Sequence, residues 1–316
     1  MSEPYVRPDV RLFLDYLNNL PGPKTYEVGP VEARKMMIAS RHVADVETGE
    51  LALIRDLGCP GPGGEIGLRL YDARETRGAG PLFLFLHGGG FVFCDLDSHE
   101  PLCAELARLL DLPVLAVDYR LAPENPWPAG VEDAIAAAYW AAESPADLGR
   151  EVTGLIPCGD SAGGNFAIVV SLALRDTPAK VPVRAQFPIY PAANPGPGAD
   201  YPSYEDFAEG HLLTRPGMDW FEDCYAADSR DWRYSPLVKS QAGMPPTLVL
   251  TASLDPIRDQ GRAYAAACIE AGVPTIFREA RGNIHGFMNL RKAIPSSEQD
   301  LRECVTALKL LLAESA

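Results

Sequence analysis

Unbroken apolar runs that alternate with helix-period segments set the tightest limit on what this chain can fold into. "PLFLFLH" (81–87) has no polar position before its final histidine, the pattern of a strand covered on both faces. The following "SHEPLCAELARLLDL" puts Leu102, Leu106, Leu109 and Leu110 on one helical face. "PVLAVDY" (113–119) reads as a strand, and "PAGVEDAIAAAYWAAE" (128–143) as a helix with Pro128 near its start. "TGLIPCGD" is a strand that hands over to a helix from Ser161, and "VRAQFPIYP" (183–191), "PTLVLTAS" (246–253) and "TIFREA" are further strand candidates. The helix "RDQGRAYAAACIEAG", stopped by Gly272, and the terminal "SSEQDLRECVTALKLLLAE" complete the alternation. Such alternation calls for a largely parallel sheet with helices on both faces.

Two regions break the pattern. Residues 1–45 are helical without a strand, and residues 192–235 are rich in Pro, Gly, acids and aromatics. Forty structureless residues inside a compact domain would be unusual, so a small helical insertion is expected there, folded over the sheet together with the N-terminal segment. The chain then divides into 1–45 (N-terminal part of a helical cap), 46–191 (first part of an α/β core), 192–235 (cap insertion) and 236–316 (second part of the core). A cap so placed covers the carboxyl ends of the strands, where open α/β sheets bind ligands. The net charge of −15 repels phosphate backbones and anionic membranes, which argues against a nucleic-acid or membrane partner. The seven cysteines are scattered, without CxxC or Cys/His spacing, so reduced thiols and no metal site are expected. No secretory pattern opens the chain and no run approaches a membrane span, so the expected location is cytoplasmic.

Chemistry enters at "LIPCGDSAGG" (155–164). The apolar run stops at Gly159, and Ser161 stands between Gly159 and Gly163 where strand passes to helix. G-x-S-x-G in that context forces the serine into a sharp turn and presents its hydroxyl above the sheet. A helix-capping serine is the bland alternative. A hydroxyl needs a base to act as a nucleophile, and in the chain order nucleophile–acid–histidine only His211 and His285 follow. His285, in the loop "NIHGFMNL", is preferred because Asp255 precedes it at a strand end; Asp259, one turn on, is the rival acid. "HGGGF" (87–91) follows the first strand, and its glycines can aim backbone N–H groups at an oxyanion. Gly88, Gly89 and Ala162 are the expected donors, with His87 holding the loop.

These motifs together resemble the hormone-sensitive-lipase-type carboxylesterases, bacterial family IV of the α/β-hydrolase superfamily. The resemblance rests on "HGGGF" (87–91), "DYRLAPENPWPA" (118–129), "GDSAGGN" (159–165), "LDPIRDQG" (254–261) and "IHGF" (284–287), and more weakly on "VEAR". It implies an α/β-hydrolase fold, a mostly parallel eight-stranded sheet flanked by helices with a helical cap. It further implies Ser161 as nucleophile, His285 as general base, Asp255 as its orienting acid, short- to medium-chain acyl esters as substrates, no cofactor, and often a homodimer. An amidase, lactonase or deacetylase with the same triad is the alternative within enzymes, and a receptor on a disabled hydrolase scaffold the alternative outside them. Asn125 and Asn194 depart from the family's usual His and Asp, which bears on the pocket rather than the triad. Phe91, Tyr190, Phe207, Leu213, Ile257 and Phe287 are the expected pocket residues; Cys94 is a candidate thiol at the mouth. Asp118, Arg120, Glu124 and Asp160 are read as bracing for loops.

Overall fold

The computed structural model describes residues 4–195 and 200–314. Among them, eight strands form one sheet: β1 (Leu53–Gly61), β2 (Gly64–Asp72), β3 (Gly80–Leu86), β4 (Val114–Asp118), β5 (Val152–Asp160), β6 (Phe187–Ile189), β7 (Thr247–Leu254) and β8 (Thr275–Ile284). Their spatial order is β1-β2-β4-β3-β5-β6-β7-β8. β1–β2 and β2–β4 pair antiparallel, and the remaining neighbours pair parallel. The helices are α1 (Pro8–Asn18), α2 (Pro30–Ala44), α3 (Glu100–Leu110), α4 (Ala129–Ala142), α5 (Ala162–Asp176), α6 (Pro202–Asp206), α7 (Arg215–Tyr225), α8 (Arg258–Glu270) and α9 (Ser297–Glu314).

The apolar run at 81–87 behaves as a strand buried on both faces. Leu82, Leu84 and Leu86 join one apolar layer with α4 and α5, while Phe83 and Phe85 join the other with α3 and α9. Each such side chain contributes about 1.5–3 kcal/mol on burial, which explains why the run carries no polar position. Two features differ from the sequence reading. The expected strand at 183–191 shrinks to Phe187–Ile189, with Val183 and Gln186 making only isolated bridges. Pro182, Pro188 and Pro191 remove the N–H donors that a longer ladder would need. The antiparallel pair β1–β2 has no counterpart among the named strand candidates; in β1 only Cys59 is buried, and the strand lacks a continuous apolar run.

The two irregular regions carry helices, α1 and α2 in the first, α6 and α7 in the second; residues 196–199 of the second, like 1–3 and 315–316, lie outside the described residues. Val10 and Leu14 of α1 share an apolar cluster with Phe207 and with Leu254 and Ile284 at the carboxyl ends of β7 and β8. Asn165, in the first turn of α5, donates to the carbonyls of Ala192 and Tyr234, both at 2.7 Å. One buried amide thereby pins both ends of the second region onto the helix that follows Ser161. Arg34 of "VEAR" donates to the Val92 and Ala122 carbonyls and pairs with both oxygens of Glu124, tying α2 to the glycine loop. No helix among the described residues is long and apolar enough to cross a membrane.

Candidate active site

Ser161 occupies the junction of β5 and α5 with φ +57° and ψ −117°, a conformation few non-glycine residues adopt. Close approach of the surrounding backbone dictates its neighbours. A Cβ on Gly163 would stand 1.9 Å from the Leu86 carbonyl oxygen, and one on Gly159 would stand 2.3 Å from that of Gly163. The Ser161 N–H is held by the Ile189 carbonyl at 2.9 Å, so the end of β6 fixes the turn.

The structure brings Ser161, Asp255 and His285 together. Asp255 follows β7, is fully buried, and accepts at Oδ1 from the Ile257 N–H at 2.9 Å. Its Oδ2 lies 2.7 Å from Nδ1 of His285, which follows β8. The imidazole Nε2 lies 2.8 Å from Ser161 Oγ. Asp255 as a carboxylate can only accept, so Nδ1 carries the proton and Nε2 is left to accept from the serine hydroxyl. The rival Asp259 is engaged with Arg258, Arg262 and the Ser203 N–H. His211 bonds to the Glu209 carbonyl and packs on Phe207.

The glycine loop requires one correction. The Gly88 N–H, expected in the oxyanion hole, donates instead to Asp160 Oδ1 at 2.8 Å. No acceptor for the N–H of Gly89 or Gly90 is found among the described residues. Ala162 opens α5, where the first N–H groups have no intrahelical acceptor. Among the described residues, the loop thus leaves the N–H groups of Gly89 and Gly90 without a partner, and Gly90 was not among the expected donors. The loop's shape explains its glycines: Gly89 has φ +112°, and a Cβ there would meet the Phe93 carbonyl oxygen at 2.1 Å.

Asp160 is the hub beneath this loop. Besides the Gly88 N–H, its carboxylate meets His99 Nε2 at 3.0 Å, Asn289 Nδ2 at 3.2 Å and the Tyr190 hydroxyl at 3.4 Å. Burial alone would raise the carboxyl, but His99, the Gly88 N–H and His87 outweigh it and hold Asp160 below the ordinary carboxylate range. The same burial acts on His87 in the opposite sense, and with the neighbouring His99 it lowers the imidazole to about 4. His87 is stacked on Tyr119 at 4.2 Å, and its Nδ1 donates to the Gly88 carbonyl at 2.7 Å.

Both groups make the fold acid-sensitive. His87 folds neutral, so its contribution is intact above the unfolded value of 6.5 and is lost as the pH falls toward about 4, where the folded imidazole finally charges. A lowering from 6.5 to about 4 corresponds to roughly 3 kcal/mol. The lowered Asp160 contributes above the unfolded carboxyl value of 3.8 and is lost below it. Urea midpoints of the wild type should therefore drop between pH 6.5 and 4.5, and His87→Asn, which retains an N–H for Gly88, should flatten that drop. An unchanged slope in the variant would rule out His87 as the titrating group.

Of the remaining expected site residues, Phe91, Tyr190, Phe207, Ile257 and Phe287 are buried. The Tyr190 ring lies 4.8 Å from that of His285 and edge-on to fully buried Phe287. Phe91 stacks on Tyr225 at 4.0 Å within an aromatic cluster, Phe207 is buried under Arg258, and Ile257 holds Asp255. Leu213 is half-buried. Burial pushes the Cys94 thiol above its ordinary range, so it remains protonated. Two residues that the sequence reading missed reach the site from the 192–235 region. The Phe221 ring fills the space where a Gly90 side chain would stand, and Leu212 Cδ2 would meet a Cβ on Gly286, next to His285, at 3.6 Å. Nothing in local periodicity marks either residue, because only the placement of α6 and α7 over the sheet brings them there.

Comparison with known proteins identifies the family. A family model described as the α/β-hydrolase fold matches residues 83–289. The chain is 41% identical over 266 residues to the carboxylic ester hydrolase LipN of Mycobacterium tuberculosis, covering 81% of this chain and 70% of that protein. It is 38% identical over 235 residues to the ethyl acetate hydrolase of Pseudomonas putida, covering 73% of each. Among solved structures it is similar to the ester hydrolase EH1AB1 from the metagenome of Lake Arreo, complexed with a derivative of bipyridine phosphonate. That match has a TM-score of 0.90 and 35% identity, over 98% of this chain and 99% of that one.

Proposed function

Since the chain belongs to the α/β-hydrolase fold family and is a carboxylic ester hydrolase of the hormone-sensitive-lipase type, we propose that it cleaves short- to medium-chain acyl esters through an acyl-enzyme on Ser161. The observation that carries this reading is the unbroken hydrogen-bonded line Asp255–His285–Ser161, at 2.7 and 2.8 Å. Nε2 of His285 removes the hydroxyl proton as Oγ attacks the ester carbonyl, and Asp255 steadies the imidazolium that forms. Negative charge develops on the former carbonyl oxygen, where the N–H groups of Gly89, Gly90 and Ala162 receive it; each such donor contributes about 3–4 kcal/mol. The imidazolium then protonates the departing alkoxide. Water enters, is deprotonated by the same Nε2, and hydrolyses the acyl-enzyme. Residues 1–45 and 192–235 act together as the cap, which places apolar side chains over the carboxyl ends of the strands and excludes bulk water from the oxyanion.

A fluorophosphonate probe tests the assignment directly, because it reacts with activated serines. The expected result is one equivalent of label on the peptide containing Ser161 and complete loss of turnover of p-nitrophenyl butyrate. Label on another residue, or full turnover after stoichiometric labelling, would overturn it.

A further inference from the structure

We infer that Leu212 gauges the alcohol half of the ester, a reading that rests on the acyl-enzyme mechanism above. In the acylation step the bond from Ser161 Oγ to the acyl carbon forms, the bond from that carbon to the alcohol oxygen breaks, and the proton on His285 Nε2 passes to the leaving oxygen. That oxygen must come within hydrogen-bonding reach of Nε2, so the alcohol substituent lies on the imidazole side of the site. The carbonyl oxygen lies on the other side, toward the glycine loop. Whatever side chain borders the imidazole loop therefore meets the alcohol first.

Leu212 holds that position. Its Cδ2 bounds the space beside Gly286, the residue after His285, while Phe221 covers Gly90 on the oxyanion side. The side chain is 38% exposed, so it is not there to fill the core. Its backbone is in a left-handed conformation, φ +73°, and the Leu213 N–H closes a three-residue turn onto the His211 carbonyl at 3.0 Å. A γ-turn of this hand is strained for a leucine and costs a glycine nothing, as Gly210 at φ +78° illustrates two residues earlier. Strain of this kind persists only where the surroundings over-determine it. Here they do: Asn18 of α1 donates to the Gly210 carbonyl at 3.1 Å, the Arg215 N–H to the Ala208 carbonyl at 2.8 Å, and His211 packs edge-on against Phe207. The turn is anchored on both sides, and it sets a branched apolar side chain, rather than a hydrogen, beside Gly286 in the loop that carries His285.

The two halves of the reaction separate this role from a structural one. Acetates of ethanol, butanol and cyclohexanol share one acetyl-enzyme, so a residue that meets only the alcohol changes their acylation and leaves deacylation untouched. For Leu212→Gly, kcat/KM for cyclohexyl acetate relative to ethyl acetate should rise about tenfold, and for Leu212→Trp it should fall by a similar factor. The deacylation rate after the p-nitrophenyl acetate burst, and the ranking of p-nitrophenyl esters by acyl length, should stay as in the wild type. Unchanged alcohol selectivity in both variants, or a shift in acyl ranking instead, would overturn the inference. Fluorophosphonate labelling of Ser161 is measured in parallel: a wild-type enzyme that fails to label there removes the mechanism and this inference with it. Normal labelling with unaltered alcohol selectivity refutes the role of Leu212 alone.

Discussion

Ser161→Ala should lower kcat for p-nitrophenyl butyrate by about a million-fold, and adding His285→Ala should cost almost nothing more. The reason lies in the distances. Oγ of Ser161 has one base within reach, His285 Nε2 at 2.8 Å, and the imidazole has no other reacting group to serve. Once either is gone, the other cannot act, so the losses do not add. Asp255→Asn should be milder, roughly ten-thousand-fold, because it leaves nucleophile and base in place but presents an amide that no longer holds the proton on Nδ1. What remains once the three residues are disabled is acceleration from the N–H donors and from binding. Active-site titration with the fluorophosphonate, together with kcat for the single and double variants, checks this. Losses that multiply, or a Ser161→Ala enzyme with more than a thousandth of wild-type turnover, would show that the three residues do not act as one unit.

Asp160→Asn should be the most damaging substitution outside that trio. Asp160 touches no reacting atom in this geometry; it is a positioning residue. Its carboxylate accepts from the Gly88 N–H, meets His99 and Asn289, and takes the Tyr190 hydroxyl, so one buried charge ties the glycine loop to the elbow, the end of β6 and the segment after His285. An asparagine at that place has one acceptor oxygen and turns an NH2 toward groups that are themselves donors. Removing one side of a buried charged cluster costs about 3–5 kcal/mol of stability. The loop it releases carries Gly89 and Gly90, so kcat should fall about 100- to 1000-fold, the loss expected when an oxyanion donor is misplaced. KM for p-nitrophenyl butyrate should move little, since the donors act on charge that appears only in the transition state. A stability loss with kcat intact, or a loss carried entirely in KM, would show that Asp160 only supports the fold.

How much of this was legible depends on the distance over which each feature is decided. Ser161 and Asp255 could be picked out because each sits immediately after a strand marked by an apolar run, and His285 because it lies in the loop between the last strand and the last helix. The glycines around Ser161 were legible for the same reason, since a sharp turn is a property of a few consecutive residues. Gly88 was misplaced because its N–H has a choice of acceptors, and the one it takes belongs to a residue 72 positions away. Tyr190 and Phe287 were expected in the pocket; the Tyr190 ring lies 4.8 Å from that of His285 and packs edge-on against Phe287. Leu212 and Phe221 lie in a region whose composition announced an insertion but not where its side chains would land.

Local chemistry thus pointed to the reaction: the order of strand-end residues and the glycines that let backbone close in both depend on near neighbours. Tertiary structure decided which N–H groups remain free for the oxyanion and which side chains border the imidazole. Those outcomes are competitions between groups brought together only by packing, and a hydrogen bond or a van der Waals contact, effective over a few ångströms, is blind to separation along the chain.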